Sequence, residues 1–402
     1  MGDVNMNALE GIRVIDLSTA YSAPIGTMQL ADFGADVIKI ENTGRGDGSR
    51  TWNPFMPNGE SMAYMYINRN KRSVALNLKS EEGKTALFEL VKTADVVVEN
   101  FRPGVAKKLG IDYEAMKTIK PDIIMASLSG YGQTGPDNMK GAYSNLAEAQ
   151  SGLMSLTGFP DSEGGQPTAS GVAFGDSIAG MFLVQGILYA LLYRERTGEG
   201  QYVDVAMVDS LIALIQHGIT YCSVFGKNPE RMGNRDVSDY PYDTFKAKDG
   251  WCFLGNATTS DWTRFTEAIE RPDLANREDL NGPDKRWEHV KEVHDIVQDW
   301  AAKHTRSEIE ARFVEYGQLY SPILTISEVM ENPQVKHREM VVDLEYQGIR
   351  YKDKGIPVKM SKTPGSIRMM PPTQGQHTDE ILKSVGYTDE ELEEMRANGI
   401  IL

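Results

Sequence analysis

The stretch IRVIDLSTAYSAPIGTMQLADFGADVIKIE, residues 12–41, contains two short apolar runs separated by a helix-like segment. IRVIDL (12–17) and VIKIE (37–41) are hydrophobic almost throughout, as strands buried on both faces are. The segment between them has the pattern of a helix. The stretch therefore predicts a strand–helix–strand unit with parallel strands.

The same alternation continues through the first third of the chain. SVALNL (73–78), DVVVEN (95–100) and DIIMASL (122–128) predict three further strands, and SEEGKTALFELVKTA predicts a helix between two of them. The fold class is therefore α/β, with a parallel sheet covered by helices on both faces. The turn DLSTAYSAP lacks the G-x-G-x-x-G pattern of dinucleotide-binding folds, so an ordinary NAD site is not predicted.

Composition excludes several classes of function. The net charge of −15 disfavours a general role on nucleic acid or on an anionic membrane. Neither the two cysteines, Cys222 and Cys252, nor the six histidines have metal-ligand spacing, so no metal site is predicted. The N-terminus has no secretory pattern, and we expect a cytoplasmic protein. The apolar run from Ile178 to Tyr193 is too short to span a bilayer and predicts a buried helix.

The length of 402 residues and one shift in composition suggest two domains. Between 225 and 245 the chain becomes rich in Gly, Asn, Pro and Asp, which is typical of a boundary. We expect a large domain over 1–225, a smaller α+β domain over 226–330, and a C-terminal segment over 331–402 that returns to the large domain. The smaller domain opens with TFKAKDGWCFLGN, a predicted hairpin that turns at Asp249-Gly250.

Asp176 is the first candidate for chemistry. It follows Gly175 and precedes a long apolar helix that is predicted to end at Gly198. At the N-cap of that helix its carboxylate would accept hydrogen bonds from free backbone N–H groups, and the helix dipole would favour the ionised form. The alternative is that Asp176 is only a helix cap.

Cations near two strand ends form a second group of candidates. In an acidic protein they suggest an anionic ligand such as a nucleotide phosphate, although each cluster taken alone could be solvated surface. The members are Arg69, Lys71, Arg72 and Lys79 around the third strand, and Arg102, Lys107 and Lys108 past the fourth.

Several motifs together resemble the class III CoA transferases, the formyl-CoA transferase and CaiB/BaiF family. They are LEGIRVIDLSTAYSAP, FGADVIKIE, NRNKRSVALNLK, DVVVENFRPG, SLSGYGQTGP, GDSIAG and LLYRERTGEGQYVDV, and they extend along essentially the whole chain. The resemblance implies a Rossmann-like large domain built from both chain ends, a small domain, and two subunits that interlock as a homodimer. It also implies that Asp176, within GDSIAG, is the nucleophile that carries an aspartyl anhydride and then an aspartyl-CoA thioester.

The resemblance further implies which residues contact coenzyme A (CoA), which is a substrate here and not a tightly bound cofactor. These residues are Tyr21, Ser22, Asn42, Leu76, Asn77, Lys79, Asn100, Phe101, Arg102, Lys108, Gly141, Ala142, Tyr143 and Ser144. Formyl-CoA transferase has glutamine at the position of Tyr21 and arginine at that of Asn42. Oxalate is therefore a weaker guess for the acceptor.

Two other functions compete with CoA transfer. An α-methylacyl-CoA racemase would share the fold, but racemases of this family place a histidine in a G-H-D-x-N-Y segment. The matching stretch here, Gly141 to Asn145, has Ala142 instead, which favours the transferase. The other alternative is a non-catalytic nucleotide-binding protein in which Asp176 is a cap.

Overall fold

A six-stranded parallel sheet forms the centre of the first of two compact units. The computed structural model describes residues 7–236, 238–256 and 261–402. The first unit comprises residues up to Leu153, Ala169–Val224 and Glu339–Leu402. Its sheet has the order β3-β2-β1-β4-β5-β6, where the strands are β1 Arg13–Asp16, β2 Asp36–Glu41, β3 Lys71–Ala75, β4 Val96–Glu99, β5 Ile124–Ser129 and β6 Tyr202–Ala206. Each neighbouring pair is parallel, which confirms the predicted fold class.

Helices cover both faces of this sheet. Successive strand residues point to opposite faces, so Val14 packs into one buried cluster and Ile15 into the other. The helices of this unit are α1 Ser22–Asp32, α2 Met62–Ile67, α3 Glu81–Lys92, α4 Val105–Leu109, α5 Tyr113–Ile119, α6 Ser144–Gln150, α8 Phe174–Thr197, α9 Met207–Ile212, α17 Thr378–Lys383 and α18 Asp389–Ala397, together with most of α10 Gly218–Phe225. Helix α7 Leu153–Leu156 has only its first residue in this unit. A hairpin of β10 Val341–Tyr346 and β11 Ile349–Lys354 belongs to the same unit.

Different parts of the chain cover the two faces of the sheet. The face that holds Ile15 is covered by α3 and by the C-terminal helices α17 and α18. The face that holds Val14 is covered by α1 and α8. Both ends of the chain thus contribute to one core.

Helix α8 is long and apolar enough, by length and composition alone, to cross a membrane. In this fold one side of it, including Ala179, Leu183 and Ile187, is buried in the cluster above the sheet. The other side is exposed, for example at Tyr189, which is 68% accessible. The prediction of a wholly buried helix was therefore wrong for the outer face. The helix ends at Gly198 in the left-handed conformation (φ 77°), as predicted.

The second unit comprises Met154–Thr168 and Phe225–Arg338. Its three-stranded antiparallel sheet runs β7-β8-β9, with β7 Tyr242–Ala247, β8 Gly250–Gly255 and β9 Leu319–Pro322. The predicted hairpin turns between Ala247 and Gly250. Its helices are α11 Trp262–Ala268, α12 Pro283–Glu288, α13 Val290–Ala301, α14 Arg306–Glu315, α15 Ile326–Glu331 and α16 Pro333–His337.

Candidate active site

Asp176 lies in the first turn of α8. The helix begins at Phe174 with Ala173 at the N-cap, so Asp176 is the third helical residue and the N-cap prediction was wrong. The cap comes from another helix, because the Ser144 hydroxyl of α6 accepts the Gly175 N–H at 2.9 Å. A carboxylate in the first turn still benefits from the helix dipole.

Two glycines bring α1 and α8 into backbone contact. A Cβ atom on Gly26 would lie 2.9 Å from the carbonyl oxygen of Gly180, and one on Gly180 would lie 2.6 Å from the carbonyl oxygen of Ser22. Residues four apart lie on the same face of a helix, so Asp176 faces α1 as Gly180 does. The sequence thereby places the start of α1 beside Asp176.

Ser22, the first residue of α1, lies beside Asp176. Burial raises the pKa of Asp176 to about 6, and the Ser22 hydroxyl opposes that rise. Among the described residues, no cationic side chain contributes to this shift. The carboxylate is thus ionised at neutral pH without being neutralised by an ion pair, which suits a nucleophile.

Tyr21 precedes Ser22 and is the N-cap residue of α1. Its ring stacks on Tyr66 with 5.9 Å between the centroids. Burial and the nearby Asp176 raise the pKa of Tyr21, so the phenol stays protonated. An aromatic wall with a hydroxyl donor therefore borders the carboxylate.

A cavity of about 560 Å³ opens at the carboxyl ends of β1 to β4 in the same unit. Ligands of open α/β sheets bind at this edge. Five of the residues predicted to contact CoA line the cavity, namely Asn42, Leu76, Asn77, Lys79 and Phe101. The structure thus brings together residues that follow three different strands.

The other predicted contacts lie outside that lining. The Asn100 amide exchanges two hydrogen bonds with the backbone of Thr19, at 2.8 and 2.7 Å, and so joins the loops after β4 and β1. Arg102 lies beside Gly141, where a Cβ atom would be 3.4 Å from its Nη2 atom. Three of the remaining contacts lie around the first turn of α8, namely Tyr21, Ser22 and Ser144. The other three lie elsewhere on the unit and are Lys108 of α4, Ala142 and the exposed Tyr143.

Three of the predicted phosphate ligands are structural instead. Arg69 pairs with buried Asp32 at 2.8 Å, and Arg72 pairs with Asp36 at 2.7 Å. Lys71 is fully buried and pairs with Asp16 at 3.0 Å. These side chains neutralise carboxylates of β1, α1 and β2 and do not line the cavity, so the prediction that they bind phosphate was wrong for them.

A buried ionic network below the cavity was missed from the sequence. Lys39 pairs with Asp47 at 2.6 Å, both side chains are inaccessible, and both residues line the cavity. Nearby, Arg50 binds Glu41 at 2.8 Å. The sequence signal for this network was a single charged residue inside each of two apolar strands. These residues are Asp16 of β1 and Lys39 of β2, which are direct partners in the sheet.

Among the described residues, no group of three or more His, Cys, Asp or Glu side chains is arranged to hold a metal ion.

Residues 9–378 match the protein family described as CoA-transferase family III. The human succinyl-CoA:glutarate CoA-transferase is 34% identical over 99% of this chain and 90% of its own length. The succinyl-CoA–D-citramalate CoA-transferase of Chloroflexus aurantiacus is 32% identical over 98% of both chains. A crystal structure of a CaiB/BaiF family protein from Brucella suis has a TM-score of 0.85 and 31% identity, and it covers 94% of this chain and 100% of that one.

Proposed function

Because the chain belongs to CoA-transferase family III, we propose that it moves CoA from an acyl-CoA donor to a free carboxylic acid through covalent intermediates on Asp176. One observation carries the proposal. Asp176 is a partly buried carboxylate in the first turn of a helix, and it has no ion pair with any cation in the described part of the chain. Such a group is ionised at neutral pH and free to attack.

The proposed reaction has two halves. The Asp176 carboxylate attacks the thioester carbonyl of the donor and expels CoA thiolate, which leaves a mixed anhydride on Asp176. The thiolate then attacks the acyl carbon of Asp176, which releases the donor acid and forms an aspartyl-CoA thioester. The acceptor carboxylate repeats these steps in reverse order and leaves as its CoA ester.

The cavity at the strand ends fits the nucleotide part of CoA. Asn42, Asn77 and Lys79 would supply polar contacts, and Leu76 and Phe101 apolar ones. Lys79 is exposed and can approach a phosphate. The contacts at Tyr21, Ser22, Gly141 and Ser144 would lie nearer the reacting end of the ligand.

Dicarboxylic acids longer than oxalate are the substrate class that we propose. Succinyl-CoA, glutarate and D-citramalate appear in the names of the two relatives above. At the positions of Tyr21 and Asn42, where the family contacts its ligand, formyl-CoA transferase has other residues. This difference argues against oxalate as the acceptor. Succinyl-CoA is the donor to test first.

We further propose a cytoplasmic homodimer of interlocked chains. The exposed side of α8 carries Met181, Leu188, Tyr189 and Leu192, which recur at helical spacing on one face. An apolar stripe of this kind is typical of an interface. Sedimentation velocity would show a dimer, and a monomer at micromolar concentration would contradict the assembly.

The experiment that tests the nucleophile uses succinyl-CoA and hydroxylamine. Wild-type protein should acquire a hydroxamate on Asp176, located by mass spectrometry of the digested chain. Asp176→Asn should acquire none and should lose CoA transfer. Asp209→Asn is the matched control, because Asp209 occupies the first turn of α9 as Asp176 does that of α8. Full transfer activity in Asp176→Asn would overturn the assignment.

A further inference from the structure

Glu148 of α6 is a buried carboxylate that the site described above does not use. The residue is 1% exposed. Its Oε2 atom accepts the Ser170 N–H at 2.9 Å, and its Oε1 atom lies 2.9 Å from the Ser170 hydroxyl and 3.4 Å from the Ser144 hydroxyl. In the described part of the chain its partners are thus two serines and no cation. A buried carboxylate without a cation is costly unless hydrogen bonds hold it, so these contacts explain its position.

The contact with Ser144 leads to the start of α8. Ser144 is the first residue of α6 and lies on the same helix face as Glu148, four positions later. The Ser144 oxygen accepts the N–H of Gly175, which immediately precedes Asp176, at 2.9 Å. A hydroxyl that accepts this bond must direct its own proton elsewhere, and Glu148 Oε1 is the acceptor on its other side. Glu148 therefore orients the hydroxyl that caps α8.

The contact with Ser170 holds the segment that enters α8. Ser170 lies four residues before Phe174, where the helix begins. Its hydroxyl has one proton and two acceptors at 2.9 Å, which are Glu148 Oε1 and the Val172 carbonyl. The Val172 carbonyl also accepts the Phe174 N–H at 2.7 Å. One carboxylate is thus linked to the first turn of α8 and to the residues before it.

Close packing would transmit a shift of Ser144 to the nucleophile. A Cβ atom on Gly175 would lie 3.1 Å from the Ser144 carbonyl oxygen and 3.3 Å from Leu211 Cδ1. The backbones of α6 and α8 are therefore in contact at Gly175. Because Asp176 is the next residue, the direction of its carboxylate depends on the orientation of this turn.

We propose that Glu148 is a positioning residue for the nucleophile. Through Ser144 and Ser170, its carboxylate holds the first turn of α8 in the orientation that presents Asp176 to the thioester. The assignment rests on the proposed function, because it requires Asp176 to attack. Glu148 itself contacts no substrate and exchanges no proton with one. Misplacement of a reacting group by about 1 Å costs about 100-fold in rate.

The test measures how fast CoA becomes covalently bound to Asp176, by rapid-quench mass spectrometry with succinyl-CoA. Glu148→Ala should form this thioester about 100-fold more slowly, with KM for succinyl-CoA unchanged. Glu148→Gln should stay within about threefold of the wild-type rate. Its amide oxygen can accept the Ser170 N–H and its amide nitrogen can donate to Ser144, which leaves the bond to Gly175 in place.

A second set of variants tests whether the effect passes through Ser144. Ser144→Ala should slow thioester formation about tenfold, because the cap on Gly175 is lost. The double variant Glu148→Ala/Ser144→Ala should be no slower than Glu148→Ala, since both changes remove the same link. Ser210→Ala in α9 is the matched control. That buried hydroxyl donates to the Ala206 carbonyl at 2.7 Å, so its removal should leave the rate unchanged.

Several results would overturn the proposal. Losses that multiply in the double variant would show that Glu148 does not act through Ser144. A wild-type rate in Glu148→Ala, with only a lower urea midpoint, would reduce Glu148 to a role in folding. A raised KM with an unaltered thioester rate would show an effect on CoA binding, and a Glu148→Gln protein as slow as Glu148→Ala would assign the effect to charge. Absence of covalent CoA on wild-type Asp176 would instead contradict the proposed function.

Discussion

Replacing Gly180 by alanine should damage stability and activity together. An added Cβ would lie 2.6 Å from the Ser22 carbonyl oxygen and 2.7 Å from Ile25 Cγ2. The first contact is with backbone, which cannot rotate away, so α1 and α8 must separate by several tenths of an ångström. Alanine gains about 1 kcal/mol of helix propensity over glycine, but overpacking costs typically 1–3 kcal/mol. We expect a net loss of about 1 kcal/mol in the free energy of unfolding.

The activity loss should exceed what this instability explains. Separation of the two helices by several tenths of an ångström moves Ser22 away from Asp176. Because misplacement by about 1 Å costs about 100-fold in rate, we expect a loss of about tenfold. Urea denaturation and succinyl-CoA exchange are measured on the same preparation. Gly171→Ala controls for stability, since a Cβ there meets nothing within 4 Å. A Gly180→Ala protein with wild-type stability and turnover would refute the packing argument.

Three further outcomes follow from single side chains. Asp176→Asn should raise the free energy of unfolding by about 1–2 kcal/mol at pH 8. The reason is that burial raises the pKa of the Asp176 carboxyl to about 6, so folding is penalised at every pH at which this group is ionised. The gain should vanish as the pH falls to 4, and an equal gain at both pH values in urea titrations would contradict this reason. Lys71→Met should cost about 3–5 kcal/mol by leaving Asp16 buried without its cation, and adding Asp16→Asn should recover part of that loss in the same titrations. Lys79→Ala should raise KM for acyl-CoA about tenfold with kcat unchanged, whereas Lys84→Ala, whose ammonium pairs with Glu81, should alter neither in steady-state assays.

The central sheet was predictable because its strands are buried on both faces. Runs such as VVVE, at Val96–Glu99, have no polar alternation and leave little choice of structure. Local pattern was sufficient for these elements.

Partnerships between distant residues were not predictable from local pattern. Lys71 and Asp16 are 55 positions apart, and only the register of three strands brings them together. The same holds for Arg69 and Asp32. Cations beside a strand end therefore looked like ligands for phosphate although they face inward.

The candidate site likewise combines residues that the sequence predicted with contacts that it did not predict. The resemblance selected Asp176 and a set of CoA contacts, five of which share one cavity. The cap from Ser144 and the approach of Ser22 depend on packing between α6, α1 and α8. Nor did the composition shift near 225 indicate that residues 154–168 lie in the second unit.

Transfer of an oxygen atom tests the nucleophile most directly. In exchange between succinyl-CoA and succinate labelled with ¹⁸O in its carboxylates, the acceptor oxygen bridges to Asp176 in the anhydride. Attack of CoA on the succinyl carbon then leaves that oxygen on the aspartate. After many turnovers, mass spectrometry of the digested protein should find ¹⁸O in the Asp176 side chain. Full exchange with no label in Asp176, or with label on another residue, would contradict the mechanism.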